Sequence, residues 1–356
     1  MLMLPIRHIR IILLLLLALF VAGCASNRPQ PAPIPPEIFS YQGEIREDNF
    51  VNPDGLNIFG RYWLPEEGID PRAVIVLVHG TIMHSGLYDE MGRYLAAHGY
   101  AVYGIDLQGW GRSDGIGVRG DVYNHDAYVT DIGIVLDRMR SEFPDRPVFA
   151  FGESLGGLVL LLGHAQRRVF FDGLILSAPG FKPNPRAPLF GFRPPALAAK
   201  WGLGTIGWFG SKIPTWPTVP VNPGLYYMFS HDKAMRDALL EDPYVAHNWL
   251  PMRYVTAIVE SNRFLEERFE VVNVPMLLIH GEKDELIPVE SSRELARRTL
   301  GRDKTLRVVK GMGHAIMLQP ERYDGMIMIV NWMNARTAPR NQVQADASPV
   351  LLPPPY

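Results

Sequence analysis

The 356-residue sequence has a single cysteine, no basic run of five or more residues and no His-Glu-x-x-His segment. One cysteine excludes a disulfide within the chain. The 35 lysines and arginines nearly balance the 37 aspartates and glutamates, so the chain lacks the positive excess typical of nucleic-acid-binding proteins. Without the zinc motif, no familiar metal-binding pattern remains. We therefore look for function in hydroxyl, carboxylate and imidazole groups.

The cysteine ends an apolar segment near the N-terminus. Arg7 and Arg10 precede an uninterrupted apolar run from Ile11 to Ala22, and Gly23 and Cys24 follow it. Basic residues before a short apolar run are typical of a signal peptide. The run is shorter than the about 20 residues that a membrane-spanning helix needs.

The segment from Val21 to Cys24 resembles the bacterial lipobox, in which a dedicated peptidase cuts before the cysteine and the cysteine is acylated. The resemblance implies a signal peptide over residues 1–23, a lipid anchor on Cys24 and a location in the bacterial cell envelope. Ala25, in place of aspartate, favours the outer membrane over the inner membrane. An ordinary signal peptide or an uncleaved anchor are the alternatives.

Two segments of biased composition flank the folded part. Residues 24–37 are dense in proline, which predicts an extended, semi-rigid tether. Residues 336–356 are polar and then proline-rich, which predicts a disordered tail.

Between these flanks, short β-branched runs alternate with longer amphipathic stretches, which predicts an α/β fold with a mostly parallel sheet covered by helices. We predict strands at 73–78, 101–105, 148–151, 173–176, 276–279 and 306–309, an antiparallel lead-in at 38–46 and 57–64, and helices at 88–98, 128–142, 155–168, 291–300 and 321–333. In such sheets functional residues lie in loops at the carboxyl ends of the strands.

A long insertion rich in aromatic residues interrupts this alternation. It is too long for a plain connection, so we predict a cap over residues 180–270, between core segments 38–179 and 271–335. Its first half contains Phe181, Phe190, Phe192, Trp201, Trp208, Phe209, Trp216, Tyr226, Tyr227 and Phe229. Such side chains either pack the cap itself or contact an acyl chain or a membrane.

A Gly-x-Ser-x-Gly motif occurs twice, around Ser154 and around Ser113. A nucleophilic serine in this motif needs a strand before it and a helix after it, because the sharp turn exposes the hydroxyl and directs the first helix amides at the reaction centre. Ser154 has both, whereas Ser113 lies in a glycine-rich loop. We predict that Ser154 is the nucleophile and that Ser113 is a turn residue.

A serine needs a neutral imidazole as base, and the imidazole needs a carboxylate to fix its tautomer. Asp284 and His314 follow two late strands in the expected order of serine, acid and histidine. We predict that they are the acid and the base. The alternatives are a turn-capping Asp284 with a surface His314, or Glu282 or Glu285 as the acid.

Acyl transfer also needs two amide donors for the developing oxyanion. Leu155 follows the nucleophile, and Thr81 lies in the glycine-containing loop after an early strand, so we predict these two backbone amides. His79 and His84 in that loop match no familiar zinc spacing, and His79 is predicted to support the loop. The sequence predicts neither a metal nor a cofactor.

Taken together, four segments resemble the monoacylglycerol lipase and lysophospholipase branch of the α/β-hydrolases, which is also grouped with the serine aminopeptidases. They are His79-Gly80, His84 to Tyr88, Asp106 to Gly115 and Gly152 to Gly157, and the similarity covers roughly residues 44–334. The resemblance implies the α/β-hydrolase fold with an inserted cap, the same triad and oxyanion residues, and a small amphiphilic ester as substrate. Glu153 departs from the pattern, because some members carry histidine at this position. The segment Thr81 to Met83 departs from it as well.

Several activities share this machinery. A short-chain esterase, a peptidase and a cofactor-free haloperoxidase would use the same triad. A catalytically silent lipoprotein that binds an envelope partner is the alternative from another class, but a binding protein needs no acid and base at matching strand ends. Nucleic acid is not an expected partner.

We expect Cys24→Ser to release the protein from bacterial membranes, because the acyl chains carry most of the anchoring energy, roughly 0.8 kcal/mol per buried methylene. Cleavage before residue 24 should fail as well. Fractionation and the N-terminal mass measure both effects. A variant that is cut at the same place and sediments with membranes as the wild type does would contradict the lipoprotein prediction.

Overall fold

An eight-stranded sheet forms the centre of the part of the chain that the computed structural model describes, residues 32–187 and 212–337. Its strands are β1 (Ile45–Val51), β2 (Asn57–Trp63), β3 (Ala73–Val78), β4 (Tyr100–Ile105), β5 (Val148–Glu153), β6 (Gly173–Ser177), β9 (Met276–Gly281) and β10 (Lys304–Val309), in the order β1-β2-β4-β3-β5-β6-β9-β10. The pairs β1–β2 and β2–β4 are antiparallel and the others parallel. This arrangement confirms the predicted α/β class.

Helices connect and cover the strands. They are α1 (Pro36–Ser40), α2 (Asp89–Ala97), α3 (His125–Glu142), α4 (Leu155–Ala165), α5 (Pro223–Phe229), α6 (Lys233–Glu241), α7 (Met252–Glu266), α8 (Val289–Arg298) and α9 (Arg322–Thr337), with 3-10 turns at Ser85–Tyr88, Phe269–Val271 and Ile316–Leu318. None of the helices within the described ranges is long and apolar enough to cross a membrane.

The apolar core follows the central strands. Every residue of β3, β4, β5, β6 and β9 is buried, as expected for parallel strands with both faces covered. The edge strands β1 and β10 expose much of their length. All of α4 is buried, because this apolar helix packs against the sheet on one side and α7 on the other.

The N-terminal lead-in differs from its prediction. Residues 57–64 contain β2, but within 38–46 the chain first forms α1, and β1 begins only at Ile45. Pro36 at the first helical position favours this short helix, because proline has no N–H to lose and its φ suits a helix. Ala32 packs against the core and α1 begins at Pro36, so the end of the segment predicted as tether, residues 24–37, packs on the domain.

At the other end, α9 continues to Thr337, two residues into the predicted tail. Residues 1–23, the lipidation site Cys24, the tether up to residue 31 and the tail from 338 lie outside the described residues.

The predicted cap lies between β6 and β9. Its described part contains α5, α6, α7 and a two-stranded antiparallel ribbon, β7 (Pro217–Val219) and β8 (Leu250–Pro251). Of the predicted aromatic group, Phe181, Tyr226 and Phe229 are buried, whereas Trp216 and Tyr227 are 59% and 54% exposed. The other five aromatic residues lie outside the described ranges.

The topology indicates where a site can form. From β3 the chain passes to β4 on one side and then returns to place β5 on the other. At such a reversal the loops after the two central strands diverge and leave a crevice at their carboxyl ends. The loops after β3 and β5 contain Thr81 and Ser154.

Candidate active site

Ser154 occupies a sharp turn between β5 and α4. Its φ of 50° lies in the left-handed region, which a non-glycine residue adopts at a cost of about 1–3 kcal/mol. The backbone on both sides is held in place, since the Ser154 amide donates to the carbonyl of Ser177 (2.9 Å) and the Ser154 carbonyl accepts from Leu158 (3.0 Å). The strained turn presents the hydroxyl above the strand ends, as the motif predicts.

Two glycines of the motif are required by close backbone approach. A Cβ on Gly156 would lie 2.1 Å from the carbonyl oxygen of Val78, and one on Gly152 would lie 2.6 Å from the amide nitrogen of Gly157. Both neighbours are backbone atoms that cannot move aside. Glycine at these positions lets α4 begin directly against the ends of β3 and β5.

The structure brings the three predicted residues of the triad into one hydrogen-bonded chain. Nε2 of His314 lies 2.8 Å from Oγ of Ser154, and its Nδ1 lies 2.7 Å from Oδ2 of Asp284. With a neutral imidazole, the serine hydroxyl donates to Nε2 and the Nδ1–H group donates to the carboxylate. Ser154 and His314 are 6% and 1% exposed. This arrangement can move a proton from the serine to the imidazole.

Asp284 is held ionised by its surroundings. Burial favours the neutral acid, but the charge of His314 and hydrogen bonds from His280 and His314 outweigh it and hold the pKa of Asp284 well below its usual range. The other oxygen, Oδ1, accepts from the amides of Leu286 and Ile287, each at 2.9 Å. The carboxylate is therefore fixed in position and charge.

His280 is a neighbour of the acid that the sequence analysis missed. Its Nε2 lies 3.2 Å from Oδ2 of Asp284 and 2.9 Å from the carbonyl of Ile287, and its Nδ1 lies 2.7 Å from Oγ of Ser292. The side chain is fully buried at the end of β9. In the sequence, the one hint of this contact is the spacing of four residues between His280 and Asp284. This spacing predicts no contact unless the course of the loop is known.

The electrostatics of His314 suit a general base. Burial disfavours the imidazolium, but the charge and hydrogen bond of Asp284, with a smaller contribution from Glu153, raise the pKa of His314 above its ordinary value of 6.5. The neutral base therefore predominates only above this raised pKa, so the rate of hydrolysis must rise with pH on the acid side.

The predicted oxyanion donors lie at the crevice. Thr81 follows Gly80, where a Cβ would lie 3.5 Å from Cβ of Ser154, so this loop passes directly beside the serine. Leu155 begins α4, where the amides of the first turn have no acceptor within the helix. Within residues 32–187 and 212–337, the amides of Thr81 and Leu155 donate to no protein acceptor.

The cap holds this loop from above at three points. Oγ1 of Thr81 lies 2.6 Å from the hydroxyl of Tyr254 on α7. The amide of Ala246 donates to the carbonyl of Ile82 (3.0 Å), a residue with a φ of 63°. Nε2 of His84 donates to Asp242, so the cap fixes the loop that contains Thr81.

The cap also contacts the loop of the predicted base. The Phe229 ring lies 5.5 Å from the imidazole of His314, between centroids. The carbonyl of Phe229 accepts from the amide of Ala315 (3.1 Å) and from Nε2 of Gln319 (2.9 Å). A single segment of the cap thus packs beside the imidazole and fixes the backbone that follows it.

The alternative candidates have structural contacts. Ser113 accepts from the amide of Phe59 (2.8 Å) and donates to the carbonyl of Asp106 (2.6 Å), so it links β2 to the loop after β4. Glu282 is exposed and accepts from the amide of Gly311. Glu285 is likewise not the residue bonded to His314, because Asp284 holds that position.

His79 fills the structural role predicted for it. Its Nδ1–H donates to the carbonyl of Gly80 (2.7 Å) and its Nε2 accepts from the amide of Leu107 (3.0 Å). Burial lowers the pKa of His79 to about 4, so the ring is neutral at physiological pH. Across the described residues, no group of three or more histidine, cysteine, aspartate or glutamate side chains is arranged to hold a metal ion.

Comparison with known proteins agrees with this geometry. The sequence model of the family described as serine aminopeptidase, S33, matches residues 69–321. The monoacylglycerol lipase of Mycolicibacterium smegmatis is 28% identical over 287 residues, which cover 81% of this chain and 96% of the relative. The human monoglyceride lipase is 29% identical over 292 residues, which cover 82% of this chain and 91% of the relative.

Among solved structures, a soluble variant of the monoglyceride lipase of Saccharomyces cerevisiae, in complex with a substrate analog, superimposes with a TM-score of 0.71. The match covers 87% of this chain and 100% of that one at 20% identity. At this identity the likeness establishes the fold, while the sequence matches establish the family.

The two candidate serines can be separated by substitution. We expect Ser154→Ala to abolish labelling by a fluorophosphonate probe and to lower ester hydrolysis by at least about a thousandfold, because Ser154 provides the only hydroxyl bonded to His314 among the described residues. Ser113→Ala is the matched control. It should keep full labelling and lose about 1 kcal/mol of folding stability with its hydrogen bonds. Labelling that persists in Ser154→Ala and vanishes in Ser113→Ala would contradict the assignment.

Proposed function

The chain belongs to the serine aminopeptidase S33 family, whose sequence model matches residues 69–321, and we propose that it is a serine hydrolase that cleaves the carboxylic esters of single-chain lipids. The observation that carries the proposal is the continuous hydrogen-bonded chain from Ser154 through His314 to a buried, ionised Asp284. This chain of groups is suited to forming and hydrolysing an acyl-enzyme without a cofactor.

In the first half-reaction, Oγ of Ser154 attacks the ester carbonyl and Nε2 of His314 takes the hydroxyl proton. The carbonyl oxygen becomes an oxyanion, which the amides of Thr81 and Leu155 are placed to bind. The tetrahedral intermediate then expels the alcohol, which receives the proton from the imidazolium. Asp284 stabilises the imidazolium while the imidazolium exists. The same interaction raises the pKa of His314.

In the second half-reaction, a water molecule replaces the alcohol. His314 takes a proton from the water as it attacks the acyl carbonyl, the same amides bind the second oxyanion, and Ser154 leaves with the proton returned to its oxygen. The products are a fatty acid and an alcohol, and the enzyme is restored. The hydrogen bond of 2.8 Å between His314 and Ser154 has the length needed to move the serine proton to the imidazole and later to return it.

The substrate class rests on the relatives and the cap. The bacterial and human relatives are named monoacylglycerol lipase and monoglyceride lipase. In this chain the ring of Phe229 packs beside His314, so an apolar side chain of the cap borders the reacting atoms. Burying an acyl chain against apolar side chains stabilises a complex by about 0.8 kcal/mol per methylene. These features favour an amphiphile with one acyl chain.

The lipid anchor is part of the same proposal. We infer from the lipobox-like segment that Cys24 is acylated and that residues 25–31 space the domain from the membrane, with the outer membrane of a bacterial envelope favoured. An enzyme held at a bilayer meets amphiphilic esters continuously. The anchor therefore supports the choice of a lipid substrate over a soluble one.

We expect kcat/KM on monoacyl esters to rise from acetyl toward medium chains, because each added methylene can be buried against apolar side chains of the cap. Triacylglycerols and peptide amides should be poor substrates. A series of p-nitrophenyl or monoacylglycerol esters of increasing chain length measures this trend.

The same series contains its own control, because the chemistry of the ester is constant while the chain changes. Fastest turnover on acetyl, with a steady decline for longer chains, would rule out the lipid substrate and leave a short-chain esterase. Turnover of peptide amides above that of every ester would instead indicate a peptidase.

A further inference from the structure

Glu153 is a fully buried carboxylate next to the proposed nucleophile. It ends β5, and its exposed fraction is 0%. Oε1 accepts a hydrogen bond from Oγ of Ser177 (2.7 Å) and one from the amide of Met317 (3.3 Å), and Oε2 accepts one from the hydroxyl of Tyr88 (2.9 Å). A buried charge that keeps three donors is an expensive feature, and the mechanism above gives it no role.

The three donors come from three segments that build the site. Met317 lies in the 3-10 turn directly after His314. Tyr88 also accepts from the amide of Gly80 (3.4 Å), where the loop of Thr81 begins. Ser177 ends β6 and binds the backbone of Ser154. One carboxylate therefore joins the segments of the base, the oxyanion donor and the nucleophile.

The charge of Glu153 also acts on the base. Burial favours the neutral acid and raises the pKa of Glu153 above its ordinary value, although the hydrogen bonds of Ser177 and Tyr88 and the charge of His314 oppose this effect. Reciprocally, the charge of Glu153 adds to that of Asp284 in favouring the imidazolium form of His314. The two groups stabilise each other's charged form.

Within the described ranges, no other charged group offsets this pair. The titratable groups that face Glu153 are Tyr88 and His314, and those that face His314 are Asp284 and Glu153. Farther out, His280 contacts Asp284. His231 packs beside the backbone of Gly313, where a Cβ would lie 3.2 Å from its ring. In the described part of the chain, no lysine or arginine forms an ion pair with Glu153 or Asp284.

We propose that Glu153 is a second carboxylate for the catalytic base, a positioning residue that fixes the His314 segment through Met317, fixes the Thr81 loop through Tyr88, and stabilises the imidazolium by its charge. The role rests on the proposed function, because during turnover the imidazolium forms only when His314 takes the proton of Ser154. It also explains why a charge that burdens the folded state is kept.

The cost of burying the Glu153 charge should appear in how the stability of the fold changes with pH. The folded state binds the Glu153 proton more tightly than the unfolded state does, since burial raises the pKa in the fold. The contribution of this group to stability is therefore full at low pH and is lost as the pH rises through the raised pKa. A neutral isostere avoids the loss.

The test is Glu153→Gln, which keeps the shape and an acceptor oxygen but removes the charge. We expect the pKa of His314 to fall by on the order of one unit, because a nearby opposite charge is lost. The acid limb of kcat/KM should move to lower pH with it, and kcat on a medium-chain p-nitrophenyl ester should fall about tenfold. The melting temperature at neutral pH should be equal to or higher than that of the wild type.

Two measurements are needed. Histidine NMR titration reports the pKa of His314 without any turnover, and the pH profile reports its effect on catalysis. Asp131→Asn is the matched control, because Asp131 is also a buried carboxylate, on α3, whose pKa burial raises to about 7, and its bonded partner is Asn52. This control should leave the titration of His314 and the pH profile unchanged.

An unchanged His314 titration in folded Glu153→Gln would overturn the proposal, as would an equal shift in Asp131→Asn. If Glu153→Gln does not fold, Ser177→Ala removes one donor, which raises the pKa of Glu153 further and leaves less of it charged. The pKa of His314 should then fall by a smaller amount, and no shift there would equally overturn the proposal. The two proposals fail separately. A wild type that cleaves no ester refutes the proposed function, while the NMR titration still decides whether Glu153 stabilises the imidazolium.

Discussion

The left-handed turn at Ser154 is the constraint on which the rest of the site depends. A φ of 50° is costly for serine, and it persists because β5, α4 and the end of β6 hold the backbone on both sides. The turn can be this tight only because glycine stands where a Cβ would strike the ends of β3 and the start of α4. Once it forms, the loops after β3, β9 and β10 meet at one hydroxyl.

The cap contributes to this meeting point as much as the core does. It fixes the loop of Thr81 through Tyr254, Ala246 and Asp242, and it fixes the loop of His314 through Phe229. The segment that places the Phe229 ring beside His314 therefore also holds the polar groups of the site in position. Changes in the cap should consequently alter both acyl-chain preference and catalysis, since one packing arrangement serves both.

Much of this arrangement is predictable from local sequence patterns. The runs of buried strands, the context of Ser154 and the order of Asp284 and His314 follow from neighbouring residues and from the resemblance to a known family. The first strand begins at Ile45, later than the lead-in predicted at 38–46, because Pro36 begins a short helix instead. Three contacts could not be predicted, because they depend on how loops fold and on segments far apart in sequence, which no local pattern records. They are those of His280 with Asp284, Tyr254 with Thr81 and Glu153 with Met317.

The central claim is that Ser154 carries the acyl group during turnover. Rapid mixing with a medium-chain p-nitrophenyl ester, acid quenching and mass spectrometry of the peptides test it most directly. We predict a burst of one p-nitrophenolate per active site and an added acyl mass on the peptide that contains Ser154. Turnover without an acylated peptide, or acylation at another residue, would contradict the account.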